Sequence, residues 1–350
     1  MSKQSPIILS FKPKEATSLL LDVLSDRARD IVVKRYGLGG KASRETLETI
    51  GKEYNITRER VRQIENFALR TIKKSPVYGE FGHYFDELKT LMESYGGIVH
   101  ERSFLESVVK DKSGQNHIHF LLVVAEAFIK IKEDNDFHHR WTVNPDMAER
   151  VQQSIRNLCS DFSRDDLVAE DVVVEKLIGE LRDVLETAGN RQMDLARNLL
   201  AISKQLTRNP LGEWGLADSP NVKMRGIRDY AYLVLRHHGS PMHFREVAKR
   251  INELFGRKAH SATCHNELIK DERFVLVGRG LYALTEWGYS EGVVLDVVKN
   301  ILLRHGPLTK EEIIKQVLKE RYVKENTILV NLQNDQIFGR NEFGQYFVVK

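Results

Sequence analysis

Cysteine is nearly absent from this sequence: Cys159 and Cys264 are its only two, and they lie far apart. That excludes a disulfide framework and a paired-cysteine zinc site, and it suits a reducing compartment, so a cytoplasmic protein is expected. The N-terminal stretch "MSKQSPIILSFKPKE" holds only the short apolar run Ile7–Leu9, too little for a signal-peptide core or a membrane span. Charge of one sign is scarce as well. The net charge is +4 although 29% of residues are charged, so the chain is no basic nucleic-acid coat, and any nucleic-acid site must come from local clustering. Catalytic signatures are missing: no G-x-x-x-x-G-K-[ST], G-x-S-x-G or H-E-x-x-H run occurs. The carboxylates of 161–186 read as a charged helix face. His260, Cys264 and His265 offer at most three ligands on one helix with no partner cluster. No enzyme activity, cofactor or metal is therefore expected.

What is present is enough apolar residue, 41%, for real cores, and 350 residues imply roughly two to four compact units. The pattern predicts a mainly α, multi-domain chain of helix-turn-helix and winged-helix modules with small β-hairpin wings. Residues 14–75 read as a helical unit. In "KEATSLLLDVLSDRARDIVVKRYGLGG" two helices are expected, the second capped by Ser25 or Asp26 and stopped by Gly37, Gly39 and Gly40.

An internal repeat follows. "GGIVHERSFLESVV", "HGSPMHFREVAKRI" and "HGPLTKEEIIKQVL" each end a helix at glycine, pass through a short apolar pair and restart a helix at His100, His243 or Thr309. Thr309 and Glu312 have capping-box spacing, with Ser103 and Glu246 in the equivalent places. Each copy closes on two β-prone runs around a turn: "FIKIKEDNDFHHRWTV", "FVLVGRGLYALTEWG" and "IFGRNEFGQYFVV". Helix, strand, helix, helix, hairpin is the winged helix-turn-helix order, which gives modules at 78–144, 226–290 and 291–350. His138-His139 is expected in a strand and His237-His238 at a helix end. Between the first two copies, 145–225 reads as an acidic helical spacer and linker. It includes the helix "VEKLIGELRDVLET" and the loop "TRNPLGEWGLADSPNVKMRG", whose Trp214 should dock on something.

The most informative stretch is "ETLETIGKEYNITRERVRQIENFALRTIKK". Leu47 and Ile50 share a helix face. Gly51 sits mid-helix, where glycine costs about 1 kcal/mol against alanine. Close approach of a second helix would offset that cost. Asn55 suits a left-handed turn, Ile56 a corner plug, and Thr57 a cap for the next helix. In that helix Val61, Ile64, Ala68 and Ile72 form an inward stripe. Arg58, Glu59, Arg62 and Gln63 then project from the other side in the N-terminal half, the part that meets base edges in helix-turn-helix complexes. Arginine can bond guanine, glutamate can accept from cytosine, and glutamine can bond adenine. Arg60, Arg70, Lys73 and Lys74 suit phosphates. The second winged module's "HSATCHNELIKD" is a poor phosphate-binding face by comparison, with one lysine and two acids. Its turn arginine Arg279 could touch a minor groove.

"TLETIGKEYNITRERVRQIENFALRTIKK", with "LSDRARDIVVKRYGLGG" upstream, closely resembles region 4 of the bacterial primary sigma factors over about residues 20–75. The resemblance implies recognition of a promoter −35-like element in double-stranded DNA, with Arg58, Glu59, Arg62 and Gln63 on bases. It places Arg44, Thr46 and Arg60 near the DNA backbone, and Thr57 is grouped with them. It also implies that the helices around Leu19 to Tyr36 could grip the β flap of RNA polymerase core. Phe67 departs from the family, which has lysine there, and this puts contacts made through that lysine in doubt. No segment resembles sigma region 2, so a complete sigma factor is not expected. "RGIRDYAYLVLRHHGSPMHFREVAKRINELFG" with "DERFVLVGRGLYALTEWGY" looks like the HARE-type winged helix. That family includes the delta subunit of RNA polymerase and domains of chromatin and restriction proteins. The expectation is a cytoplasmic, nucleoid-associated DNA-binding transcription factor. The alternatives are a delta-like polymerase accessory subunit acting through protein contacts, and a DNA-binding component of a nuclease system.

Overall fold

The computed structural model describes residues 9–40, 42–289, 294–321 and 323–349. The expected module boundary at 290/291 lies outside the described residues. The chain forms two compact units, Met1–Arg208 with Gly212–Ala217, and Asn209–Leu211 with Asp218–Lys350. It is mainly α, with small antiparallel sheets.

The first unit opens with α1 (Pro13–Leu21), α2 (Asp26–Tyr36), α3 (Leu47–Glu53), α4 (Arg58–Lys74) and α5 (Pro76–Glu80). Proline at the first position of α1 forfeits no bond, because that amide has no partner within the helix. Ser25 stands at the cap position of α2, but its side chain makes no capping bond. Gly37 ends α2 at φ 66°, a left-handed conformation that glycine adopts without steric cost.

Next come α6 (Gly82–Ser94), β1 (Ile98–His100), α7 (Glu101–Val108), α8 (Lys112–Val124), β2 (Ile129–Ile131) and β3 (Arg140–Thr142), in winged-helix order. The sheet runs β1-β3-β2, with Trp141 opposite both Val99 and Lys130. The hairpin is wider than a tight turn at Asp-Asn-Asp. His138 and His139 precede β3 instead of lying in it, because Phe137 leaves the wing to bridge Ser203.

The sequence reading separates 14–75 from 78–144, whereas the structure joins them in one core. Leu20, Val32, Tyr36, Ala68 and Ile72 pack with Leu88, Phe104, Ile118, Phe120 and Trp141. The cause is α8: Gln115 to Leu122 and Val124 are all buried, as required of a helix apolar on nearly every side.

Residues 145–217 likewise form a packed layer and not an extended spacer. They carry α9 (Pro145–Ser160), α10 (Glu170–Glu180), α11 (Arg182–Leu185), a 3-10 turn (Glu186–Arg191), α12 (Gln192–Leu200), β4 (Leu206–Arg208) and β5 (Trp214–Leu216). Their inward stripes close a second core, with Val151, Ile155, Leu177, Leu199 and Trp214 around Ile98 and Phe137 of the winged module. The helix expected over 174–187 breaks at Leu181 (φ −108°, ψ 28°), and the expected loop holds the β4–β5 hairpin. Arg140, 2% exposed, ties the wing to α9 through Gln152 Oε1 (2.9 Å from Nε) and Asp134 (2.8 Å from Nη2). A buried cation is tolerated only when paired in this way.

The second unit repeats the plan twice. The first copy is α13 (Ile227–His238), β6 (Met242–His243), α14 (Phe244–Phe255), α15 (Ser261–Lys270), β7 (Phe274–Gly278) and β8 (Leu281–Leu284), with sheet order β6-β8-β7. The second is α16 (Val294–His305), α17 (Lys310–Glu320), α18 (Glu325–Leu332), β9 (Phe338–Arg340) and β10 (Tyr346–Val348). There a single bridge, Leu308 to Tyr346, replaces the first strand. Gly239 (φ 74°) and Gly306 (φ 79°) make the turns into these restarts. Thr309 and Glu312 form a reciprocal capping box.

Candidate nucleic-acid interface

The site is the α3–turn–α4 corner. Thr46 caps α3 by accepting from the Thr49 amide (3.1 Å), and Thr57 caps α4 by accepting from the Arg60 amide (3.2 Å). The Ile56 amide donates to Gly51 O (2.9 Å), and Asn55 takes φ 53°. A Cβ built on Gly51 would lie 2.7 Å from Ile56 O, so the corner has room only for glycine. Beneath it Ile31, Ile50 and Val61 form a small core closed by Leu47, Tyr54, Ile56 and Ile64.

With Val61, Ala68 and Ile72 fully buried, the rotation of α4 is fixed. Arg58, Glu59, Arg62 and Gln63 are all exposed along its N-terminal half. Arg62 donates to Glu59 through Nη2 (2.6 Å) and Nε (2.9 Å), and Arg60 Nη1 donates to Gln63 Oε1 (3.0 Å). The Arg62 guanidinium holds the Glu59 carboxyl below its ordinary range, so Glu59 stays ionised and can only accept. Exposed pairs one turn apart are weak and screened by salt, so these side chains can exchange partners with a duplex. Arg58 stands beside Arg35, Thr46, Leu47 and Glu48 around a cleft of about 370 Å³.

The expected backbone group is less uniform. Arg60, Arg70 and Lys74 are exposed on α4. Lys73 is half-buried and 3.8 Å from Glu126. Arg44 is exposed, but its Nε donates to Asn116 Oδ1 (2.9 Å). Thr46 and Thr57 spend a hydroxyl lone pair on their caps.

Two residues absent from the sequence reading position this surface. Asn116, fully buried on α8, donates to Gly37 O (3.0 Å) and Ala42 O (2.8 Å) and so fixes the loop between α2 and α3. Local sequence carries no signal for that role. Glu65 lies on the inward side of α4, where Tyr36 Oη donates to it (2.9 Å) and Arg35 Nε lies 3.5 Å away. Its signal was legible, one helical turn after Val61 on the stripe. Phe67 is 69% exposed on the outward side.

The second helices of the winged modules differ from α4. Buried α8 presents no face to a duplex. On α15 a single lysine, Lys270, is exposed, and α18 has no basic residue. His260 is exposed, whereas Cys264 is fully buried and its thiol is pushed up to about 12 by burial. Among the described residues no three His, Cys, Asp or Glu side chains converge to hold a metal, and no helix is long and apolar enough to cross a membrane.

Comparison with known proteins agrees with the geometry. Residues 20–74 match the family model of sigma-70, region 4. Residues 227–287 match the HARE-HTH model, a helix-turn-helix domain described from ASXL and restriction endonuclease proteins. Over 60 residues the chain is 50% identical to RNA polymerase sigma factor RpoD of Helicobacter pylori, covering 17% of this chain and 9% of that protein. It is 48% identical over 60 residues to sigma factor SigA of Synechocystis, covering 17% and 14%. It is 40% identical over 73 residues to SigA of Clostridium acetobutylicum, covering 21% and 19%. The chain thus spans less than a fifth of the length of these relatives. The α3–α4 corner lies in a segment of the sigma-70 region 4 type, and the second winged module is of the HARE type.

Proposed function

We propose that this protein is a DNA-binding transcription factor whose α4 reads a −35-like promoter element in the major groove. The observation that carries this reading is the rotation of α4. Its apolar stripe is sealed, and Arg58, Glu59, Arg62 and Gln63 stand in solvent on the N-terminal half. Arg60, Arg70 and Lys74 flank them for phosphates, with Arg44, Thr46, Thr57 and Lys73 at the margins. The protein acts by binding, without chemistry of its own, in the cytoplasm on the nucleoid. Selection of binding sites from random duplexes, followed by titration of the best site, tests this. Sequence-selective, salt-dependent binding that weakens in Arg62→Ala is expected, and a chain that binds all duplexes alike would refute it.

RNA polymerase core is the proposed protein partner. Leu20, Leu21 and Val32 of α1 and α2 pack in the core that also holds Ile118, Leu121 and Leu122 of α8. A β-flap element seeking that apolar face would have to displace α8. Buried α8 and the weakly basic α15 and α18 favour a second reading, a polymerase accessory subunit acting through protein contacts. Capture of core polymerase in the absence of promoter DNA supports that reading, and its failure removes it.

A further inference from the structure

Within the second unit, the β7–β8 hairpin, α17 and α18 enclose a groove of about 1250 Å³. That exceeds the usual size of a small-molecule site, roughly 300–1,000 Å³. Its walls are aliphatic: Leu276, Leu281, Val294, Leu318 and Val323. Leu276 and Leu318 are 48% and 42% exposed, an uncommon cost for large apolar side chains clustered at one place.

The charges lining it have one sign. Arg279 at the hairpin turn, Arg321 after α17 and Lys324 before α18 face the groove, and no carboxylate stands among its described lining residues. Arg321 is only 5% exposed. Its Nη1 donates to the Leu276 carbonyl on the outer edge of β7, while its Nε has no partner among the described residues. Asp296 on α16 acts on it through space. A buried guanidinium with an idle donor gains most from a carboxylate, which accepts in a bidentate way. Nor does any aromatic ring stand among the described lining residues, so nucleobases would find no stacking platform.

We propose that this groove binds an acidic peptide segment of a partner protein, with its Leu, Ile or Val side chains against the aliphatic walls and its Asp or Glu side chains on Arg321, Lys324 and Arg279. The reading is independent of DNA recognition by α4.

The test pans the full chain against short random peptides displayed on phage. A fluorescein-labelled copy of the most enriched peptide is then titrated by anisotropy. Enriched sequences should combine Asp or Glu with aliphatic residues, and binding should fall with added salt. Lys324→Glu and Leu318→Asp change exposed positions and leave the fold intact, and each should weaken binding by about tenfold or more. Unlabelled oligothymidine should not compete. Four results would overturn the proposal: no enrichment over panning against the Leu318→Asp chain, enrichment of basic or uncharged sequences, unchanged affinity in both variants, or displacement of the peptide by oligothymidine. The last would make the groove a single-strand site.

Discussion

Replacing Gly51 by alanine sets two calculable effects against each other. Alanine in a helix interior is favoured over glycine by about 1 kcal/mol, so propensity alone makes the variant more stable. The new Cβ, however, would sit 2.7 Å from Ile56 O and 3.4 Å from the Arg58 amide nitrogen. Both atoms are backbone, so no side chain can swing away, and the α3–α4 corner must open by several tenths of an ångström. Overpacking of this kind costs about 1–3 kcal/mol. The expected net result is a loss of about 1 kcal/mol, together with weaker DNA binding because α4 is carried off its seat. Gly179 near the end of α10 is the control. A Cβ there meets nothing within 4 Å, so Gly179→Ala should gain up to about 1 kcal/mol. Urea denaturation followed by tryptophan emission reads both variants, since Trp141 lies in the core shared with α1, α2 and α4. If Gly51→Ala is as stable as the parent or more so, the corner is not closed against that carbonyl and the account of α3–α4 packing fails.

Acid should destabilise the first unit before its carboxylates titrate. Burial, with Arg44 nearby, lowers the His119 ring from 6.5 to about 3, despite Glu101 3.7 Å away. The native ring stays neutral while the unfolded one charges, so stability is lost as pH falls below 6.5, by about 2 kcal/mol at pH 5. The fall in urea midpoint between pH 7.5 and 5 should shrink markedly in His119→Gln, and an unchanged fall would refute the assignment. Asn116→Ala strands Gly37 O and Ala42 O, and should cost about 2–3 kcal/mol in the same assay. Val61→Asp buries an unpaired carboxylate at a fully buried position and should abolish protection of α4 amides in hydrogen exchange. Arg58→Ala or Arg62→Ala should lower affinity for the best duplex by about tenfold to a hundredfold and relax selectivity. Arg70→Ala should instead weaken all duplexes alike and reduce the salt slope by about one. Equal behaviour of the two classes in titrations at several salt concentrations would remove the division between base and backbone contacts.

The helix-turn-helix corner was legible because its determinants are local. Thr46 and Thr57 cap, Asn55 turns, Gly51 admits the neighbouring chain, and the stripe from Val61 to Ile72 fixes rotation, all within one short stretch. The winged order was legible for the same reason, since glycine stops and helix restarts recur at His100, His243 and Thr309. The partition into bodies was not. Whether 14–75 and 78–144 separate depends on what α8 buries itself against, which is a non-local question. The acidic composition of 145–195 describes only the outward faces of α9 and α10. Their inward stripes of Val151, Ile155, Val173 and Leu177 make a core. Trp214 signalled docking, but its partner, Val168 across a β-bridge, lies more than forty residues away.

Three modules with one order of elements therefore need not share one task. In a winged helix the second helix of the pair is the usual candidate to enter a groove, so its cover decides what the module can touch. Ile118 to Val124 leaves α8 no polar stripe, so the helix can only be interior, and its buried Asn116 then serves to hold the loop between α2 and α3. On α15 and α18, side chains such as Ile269 (61% exposed) and Val330 (65% exposed) reach solvent with little positive charge beside them. Such faces suit protein better than phosphate. The basic, solvent-facing N-terminal half of α4 differs from all three. Its charge follows from the segment "TRERVRQ", and its exposure follows from the apolar residues on the other side of the same helix.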